Sequence, residues 1–224
     1  MNPPLHSTFR VLTLLFAAIL GLYCIWLLLA ELYRPGVDRL STGPQSAAMA
    51  AEQRNDANRA AWIGRIRGDL WADSAYTYAD MLWNNSDSTS QPTRSLNQVR
   101  ERLDWAVRYA PHQSGAWLLL AGVASRYRWL NPDPAEALRM SYYTGPSERP
   151  LIPLRTLVAG QLPALDNELQ QLARRDLRVL IAHQEQPAVM QAYQAATPSG
   201  KQFIEQTVGE IDPTLAESLR HGAQ

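Results

Sequence analysis

The sequence predicts an all-α protein: one N-terminal transmembrane helix followed by stacked antiparallel helical hairpins. Three observations carry this. Val11–Ala30 is a 20-residue apolar run without a charge. Helix start and stop signals recur at short intervals through the rest of the chain. No run of alternating β-branched residues and no Asn-Gly or Asp-Gly hairpin signal is present.

The apolar run reads VLTLLFAAILGLYCIWLLLA. As a helix it rises about 30 Å, the thickness of a bilayer's hydrocarbon core. A cleaved signal peptide would be shorter and end on a small-x-small exit, whereas this run ends Leu29-Ala30-Glu31-Leu32. A lipoprotein signal would place a small residue before Cys24, and Tyr23 stands there. The run therefore reads as an uncleaved anchor in contact with lipid through Val11–Ala30. Arg10 flanks one side, Arg34 and Arg39 the other. The basic count therefore does not separate the two orientations. The expectation is a cytoplasmic tail over 1–10, a membrane helix over 11–32, a linker over 33–45, and a helical domain outside over 46–224. Pro35, Gly36, Gly43 and Pro44 mark the linker.

Composition narrows the function classes. The 224 residues carry 21 basic and 21 acidic side chains, which argues against a nucleic-acid-coating protein. The single cysteine, Cys24, excludes an internal disulfide framework and a cysteine zinc cluster. All but Lys201 of the basic residues are arginines, and alanine is abundant. That codon bias points to a GC-rich, bacterial genome, for which the outside compartment is the periplasm and the membrane the inner membrane.

The soluble helices follow in order. Trp71, Ala75, Tyr78 and Leu82 share a face of a long pattern over 47–83, which Gly64 and Gly68 bend or divide. Asn84–Pro92 is a polar loop. Ser95 with Gln98 fits a capping box for a helix whose stripe is Leu96, Val99, Leu103, Ala106 and Ala110. Ser114 is expected to cap the next helix, over 115–130. Asp133-Pro134-Ala135-Glu136 is a start signal and Gly145-Pro146 a stop. Pro150 and Pro153 open a helix through Gly160. Leu165, Leu169, Leu172 and Leu180 line a longer one to Gln184. Further helices are expected after Pro187, from Ser199, and after Asp212-Pro213. Short connections make neighbours antiparallel.

Val99, Leu103, Ala106 and Pro111 have the spacing of the second helix and closing proline of a tetratricopeptide repeat. Trp117, Leu120, Ala121 and Ala124 have that of the following repeat's first helix. Residues 96–145 thus resemble that family. The resemblance implies a helical solenoid that holds a peptide or protein, in a membrane-anchored member serving a cell-envelope assembly or export system. The match weakens after Asn131, and repeat arrays need three or more units. An irregular helical domain is the alternative architecture.

Motifs for chemistry are few. The four histidines, His6, His112, His183 and His221, have no metal-ligand spacing. Asp166 with Glu168, and Glu205 with Glu210, sit in no catalytic frame. Ser199-Gly200-Lys201 lacks the upstream glycine of a phosphate loop, and Gln202 replaces its hydroxyl. Glu101 with Arg102 and Arg108, and Asp176 with Arg174, Arg175 and Arg178, read as solvated ion-pairing faces. Trp105, Trp117 and Trp129, twelve residues apart, read first as packing residues. Two clusters carry the residue types of interface hot spots: Arg126, Arg128 and Trp129 at one helix end, and Tyr142 and Tyr143 about 15 Å along the hairpin. These five residues are the candidate partner-binding surface. The expected function is a non-enzymatic, single-pass membrane protein that scaffolds or binds a protein partner, with no cofactor, metal or nucleic acid. The alternatives are a subunit of an envelope polysaccharide-processing or export enzyme, which would require a close carboxylate pair, and a structural tether.

Overall fold

A computed structural model describes residues 4–35, 47–84, 92–128 and 132–221. Among the described residues there are eleven α-helices and no strand, so the all-α class is as expected. The chain divides into two compact units, Met1–Tyr109 and Ala110–Gln224.

The first unit contains α1 (Pro4–Leu32), α2 (Ala47–Ile63), α3 (Gly68–Asn84) and α4 (Pro92–Tyr109). Helix α3 packs against both α2 and α4, and α1 against α2. The pattern over 47–83 does break between the two glycines. Gly64 fills the breach because a Cβ there would lie 2.4 Å from Leu70 Cδ1 and 3.5 Å from the Ala30 Cβ. The core is built largely of alanines, Ala57, Ala60, Ala61, Ala72, Ala75, Ala79 and Ala106, which let helix axes approach closely. The space left is filled by an aromatic series. Trp62 meets Trp71 edge-on at 5.8 Å, Trp71 stacks on Trp105 at 6.1 Å, and Trp105 on Tyr109 at 5.5 Å. Trp71 also donates from its indole nitrogen to the Arg65 carbonyl at 2.9 Å.

Two expectations are corrected in this unit. Helix α4 begins at Pro92, so Ser95 lies within its first turn and not at its cap. Arg102 is no surface ion-pair partner. It is buried, donating to Ser74 Oγ, the Gln98 carbonyl and Asn58 Oδ1, with its guanidinium 4.1 Å from the centre of the Tyr78 ring. Most of the polar loop over 84–92 and of the linker over 33–45 lies outside the described residues.

The second unit contains α5 (Ser114–Tyr127), α6 (Pro134–Thr144), α7 (Ile152–Gln161), α8 (Asn167–Ala182), α9 (Gln186–Ala195), α10 (Pro198–Ile211) and α11 (Pro213–His221). Helices α5 and α6 pair. Beyond them the order departs from a succession of consecutive hairpins. Helix α7 packs most against α9, and also against α5, α8 and α10. A core of Ile152, Leu177, Leu180, Val189, Ala192, Ile204, Val208 and Leu219 gathers around it.

Asp133 caps α6 through the Ala135 amide, and Asp212 caps α11 through the Thr214 and Leu215 amides. Three other starts differ from expectation. Gln113, without a side-chain bond, precedes α5, and Ser114 is buried. Leu165 lies before α8, which Asp166 caps through the Leu169 amide. Thr197, not Ser199, caps α10. Its hydroxyl accepts from the Gly200 amide and lies 3.2 and 3.1 Å from the Gly160 and Leu162 carbonyls, tying the start of α10 to the end of α7.

That tie explains Gly200, the residue that mimics a phosphate loop in the sequence. A Cβ there would stand 2.0 Å from the Gly160 carbonyl oxygen, a backbone atom that no rotamer change can move. Gly200→Ala is therefore expected to destabilise the second unit by about 1–3 kcal/mol. Gly209→Ala in the same helix would meet nothing nearer than Ala216 Cβ at 3.9 Å. It should be neutral or stabilising by up to about 1 kcal/mol. Thermal unfolding of the two variants of the full chain in detergent, read by circular dichroism, checks both signs.

Candidate functional site

The first candidate site is the junction between α1 and the α2–α3 turn. Trp26 and Ala30 share one face of the last turns of α1, which meets the domain, and Arg34 follows just beyond the helix end; Ala30 is buried outright. Trp26 donates from Nε1 to the Ile63 carbonyl at 2.7 Å. That carbonyl belongs to the end of α2, where helix carbonyls lack intrahelical partners.

Below it lies a shared ion network. Arg34 reaches Glu31 at 3.0 Å, Asp69 at 3.4 Å and Asp73 at 2.8 Å. Arg67 forks onto both oxygens of Asp69, at 3.2 and 2.6 Å, and reaches Glu31 at 3.0 Å. Burial pushes the Asp69 carboxyl upward, but the hydrogen bonds and charge of Arg67, with Arg34 beside it, outweigh burial and hold the group below its usual value. Asp73 is almost wholly buried, so its contact with Arg34 belongs to the class of ion pairs in which geometry matters. Arg59 adds a cation–π contact to Tyr33 at 5.9 Å.

The second candidate site is a buried polar group in the second unit. Tyr142 of α6, Arg155 of α7 and Asp176 of α8 are all fully buried. Arg155 donates from Nε to Ser141 Oγ at 3.1 Å and from Nη2 to the Ser141 and Gly145 carbonyls at 2.5 and 2.8 Å. Its guanidinium lies 4.9 Å from the centre of the Tyr142 ring. Burial pushes the Asp176 carboxyl up to about 6, against the pull of Arg155, Tyr142 and Arg175. Burial, and then the Asp176 charge, raise the Tyr142 hydroxyl well above its ordinary value.

The five sequence-selected residues do not form one surface. Tyr142 is corrected: it faces the interior and belongs to the buried group. Its neighbour Tyr143 is 56% exposed, since adjacent helical residues point about 100° apart. Tyr143 donates to Glu168 at 2.5 Å, joining a surface network in which Arg139 contacts Glu136, Asp166 and Glu168. The acidic pair Asp166 and Glu168 thus serves as a cap and as partners of Arg139. Arg126 and Arg128 are exposed. Arg128 ends α5 in the left-handed conformation, with φ of 52°, its amide reaching the Ala124 and Ser125 carbonyls. Trp129 lies outside the described residues. Asp176 is likewise corrected from a solvated partner of Arg174, Arg175 and Arg178 to a core residue. A signal was present: Leu169, Ala173, Asp176, Leu177 and Leu180 make one continuous stripe.

Among the described residues no group of three His, Cys, Asp or Glu side chains is placed to hold a metal ion. Compared with known proteins, the chain matches no family model, no curated protein and no solved structure.

Arg34→Gln and Asp73→Asn, made singly and together, should show a coupling of about 1–3 kcal/mol, the worth of a charged hydrogen bond of this kind. Unfolding of the first unit, read by hydrogen exchange in α2 and α3, measures it; additive losses would show the pair uncoupled. For Asp176 the folded pKa is raised above the unfolded value of 3.8, so the folded state holds its proton more tightly. Its contribution is most favourable below about pH 4 and is lost as pH rises through about 6. The stability of Asp176→Asn relative to the parent should therefore rise between pH 4 and 7, by on the order of 2–3 kcal/mol. Amide protection in α8 of the full chain reports it.

Proposed function

We propose that this chain is a single-pass protein of a bacterial inner membrane whose helical domain, with its tetratricopeptide-like segment, scaffolds a protein partner in the periplasm. The observation that carries the reading is the state of α1. Between Thr8 and Leu32 it is long and apolar enough to cross a membrane, and the structure covers almost none of it. Phe9, Leu14, Leu22 and Leu28 are each about 70% exposed, and they point in different directions around the helix. A helix apolar all round needs lipid or protein on every side. The junction at its end supports the scaffold part of the reading, because it couples α2 and α3 to α1 through side chains as well as through the chain itself.

Arg126, Arg128 and Tyr143 are the proposed contacts for the partner, with Trp129 next to Arg128 in sequence. Arginine, tyrosine and tryptophan are the residue types that dominate interface hot spots.

The full chain should stay with the membrane under carbonate extraction. In spheroplasts the helical domain should be open to added protease, and a photocrosslinker at Arg126 or Tyr143 should give a discrete adduct. Release by carbonate would remove the anchor. Protection from protease until lysis would reverse the orientation. A silent crosslinker at both positions would remove the partner surface.

A further inference from the structure

We propose that the α2–α3 turn is a second membrane contact, seating Trp62 and Ile66 in the interfacial layer of the bilayer that α1 crosses. This rests on the reading of α1 as a spanning helix.

The first observation is depth. The turn does not lie beyond the end of α1. Its backbone is held alongside by the bond from Trp26 Nε1 to the Ile63 carbonyl. Trp26 stands six residues before the helix end at Leu32, a rise of about 9 Å. Gly64, next to Ile63, is pressed against Ala30, so the turn and the last turns of α1 run side by side. A bilayer that covers Val11–Ala30 therefore reaches the level of the turn.

The second observation is exposure. Trp62 is 59% and Ile66 61% exposed, the two most exposed large apolar side chains among the described residues outside α1. They flank Gly64 and Arg65 at the same end of α2. Trp71, the next member of the aromatic series, is buried beneath Trp62. The core therefore holds only one side of the Trp62 ring.

The third observation is the chemistry around the patch. Arg65 is exposed, and its guanidinium lies 5.6 Å from the centre of the Trp62 ring. Tryptophan with a neighbouring arginine suits the headgroup layer: the ring lies among the upper acyl chains and the cation rises to the phosphates. The acidic groups nearby, Glu31 and Asp69, are already matched by Arg34 and Arg67, so they do not set a bare negative charge against the lipid. Trp26, close to Tyr23 at 5.6 Å, supplies the matching aromatic layer on α1.

Depth measurement on the full chain in phosphatidylcholine–phosphatidylglycerol vesicles tests this. Cys24 is replaced by serine, and a single spin label is placed in turn through Ile66→Cys, Ile19→Cys and Tyr143→Cys. Accessibility to oxygen, which concentrates in lipid, is compared with accessibility to a water-soluble nickel complex. The label at 66 is expected to show a several-fold higher oxygen-to-nickel ratio than the label at 143. A ratio at 66 equal to that at 143, with 19 deep in lipid, would overturn this proposal and leave the anchor standing. A water-exposed label at 19 would overturn the anchor as well. A label at 66 shielded from both reagents would mean that protein covers the patch, which also overturns the proposal.

Discussion

Arg34 holds one guanidinium against three carboxylates, and the seating of α3 at the end of α1 depends on it. Besides that contact, α1 meets α2 and the turn after it through small side chains, Ala30 beside Gly64, through one indole hydrogen bond, through the more exposed Arg67–Glu31 pair and through Arg59 over Tyr33. Contacts between small residues gain little apolar area. Charged hydrogen bonds in a partly buried site are stronger, and Asp73 is almost entirely removed from water. Arginine suits the task because its planar fork addresses several carboxylate oxygens at once. Its position just past the last turn of α1 also places a positive charge where the helix dipole favours one.

The two units solve close packing with different small residues. In the first, a run of alanines on α2 and α3 brings the helices together, and a stack of tryptophans fills what remains. In the second, Gly160 and Gly200 bring α7 and α10 into backbone contact, and Thr197 satisfies the carbonyls exposed there. That crossing makes α7 central, flanked by α8, α9 and α10, and draws Arg155 into the interior. A buried arginine must find acceptors. It finds two carbonyls, at Ser141 and Gly145, with Asp176 close enough to shift in titration. The group ties the start of α7 to the end of α6 beside the middle of α8, at the cost of a carboxyl that resists ionisation.

Much of this was legible in the residues. The apolar run, the break between Gly64 and Gly68, the caps at Asp133 and Asp212, and the burial of Val99, Leu103, Ala106 and Ala121 all follow from local rules of polarity, capping and periodicity. The buried polar residues differ from their sequence reading for one physical reason. A charged residue in a helix is solvated unless a neighbouring helix covers it, and coverage is not a local property. Arg102 and Asp176 each stand on a covered face, and Tyr142 and Tyr143 part because only one of them does.

The sequence by itself determined the helices, their approximate ends and the apolar character of α1, because those depend on neighbours within a turn or two. Only the tertiary structure decided that α7 pairs with α9, that Arg34 gathers Asp69 and Asp73 from a helix more than thirty residues away, and that the α2–α3 turn lies beside the end of α1. Each of these depends on which helix faces another, and that is set by the fit of small residues and buried charges across the chain, not along it.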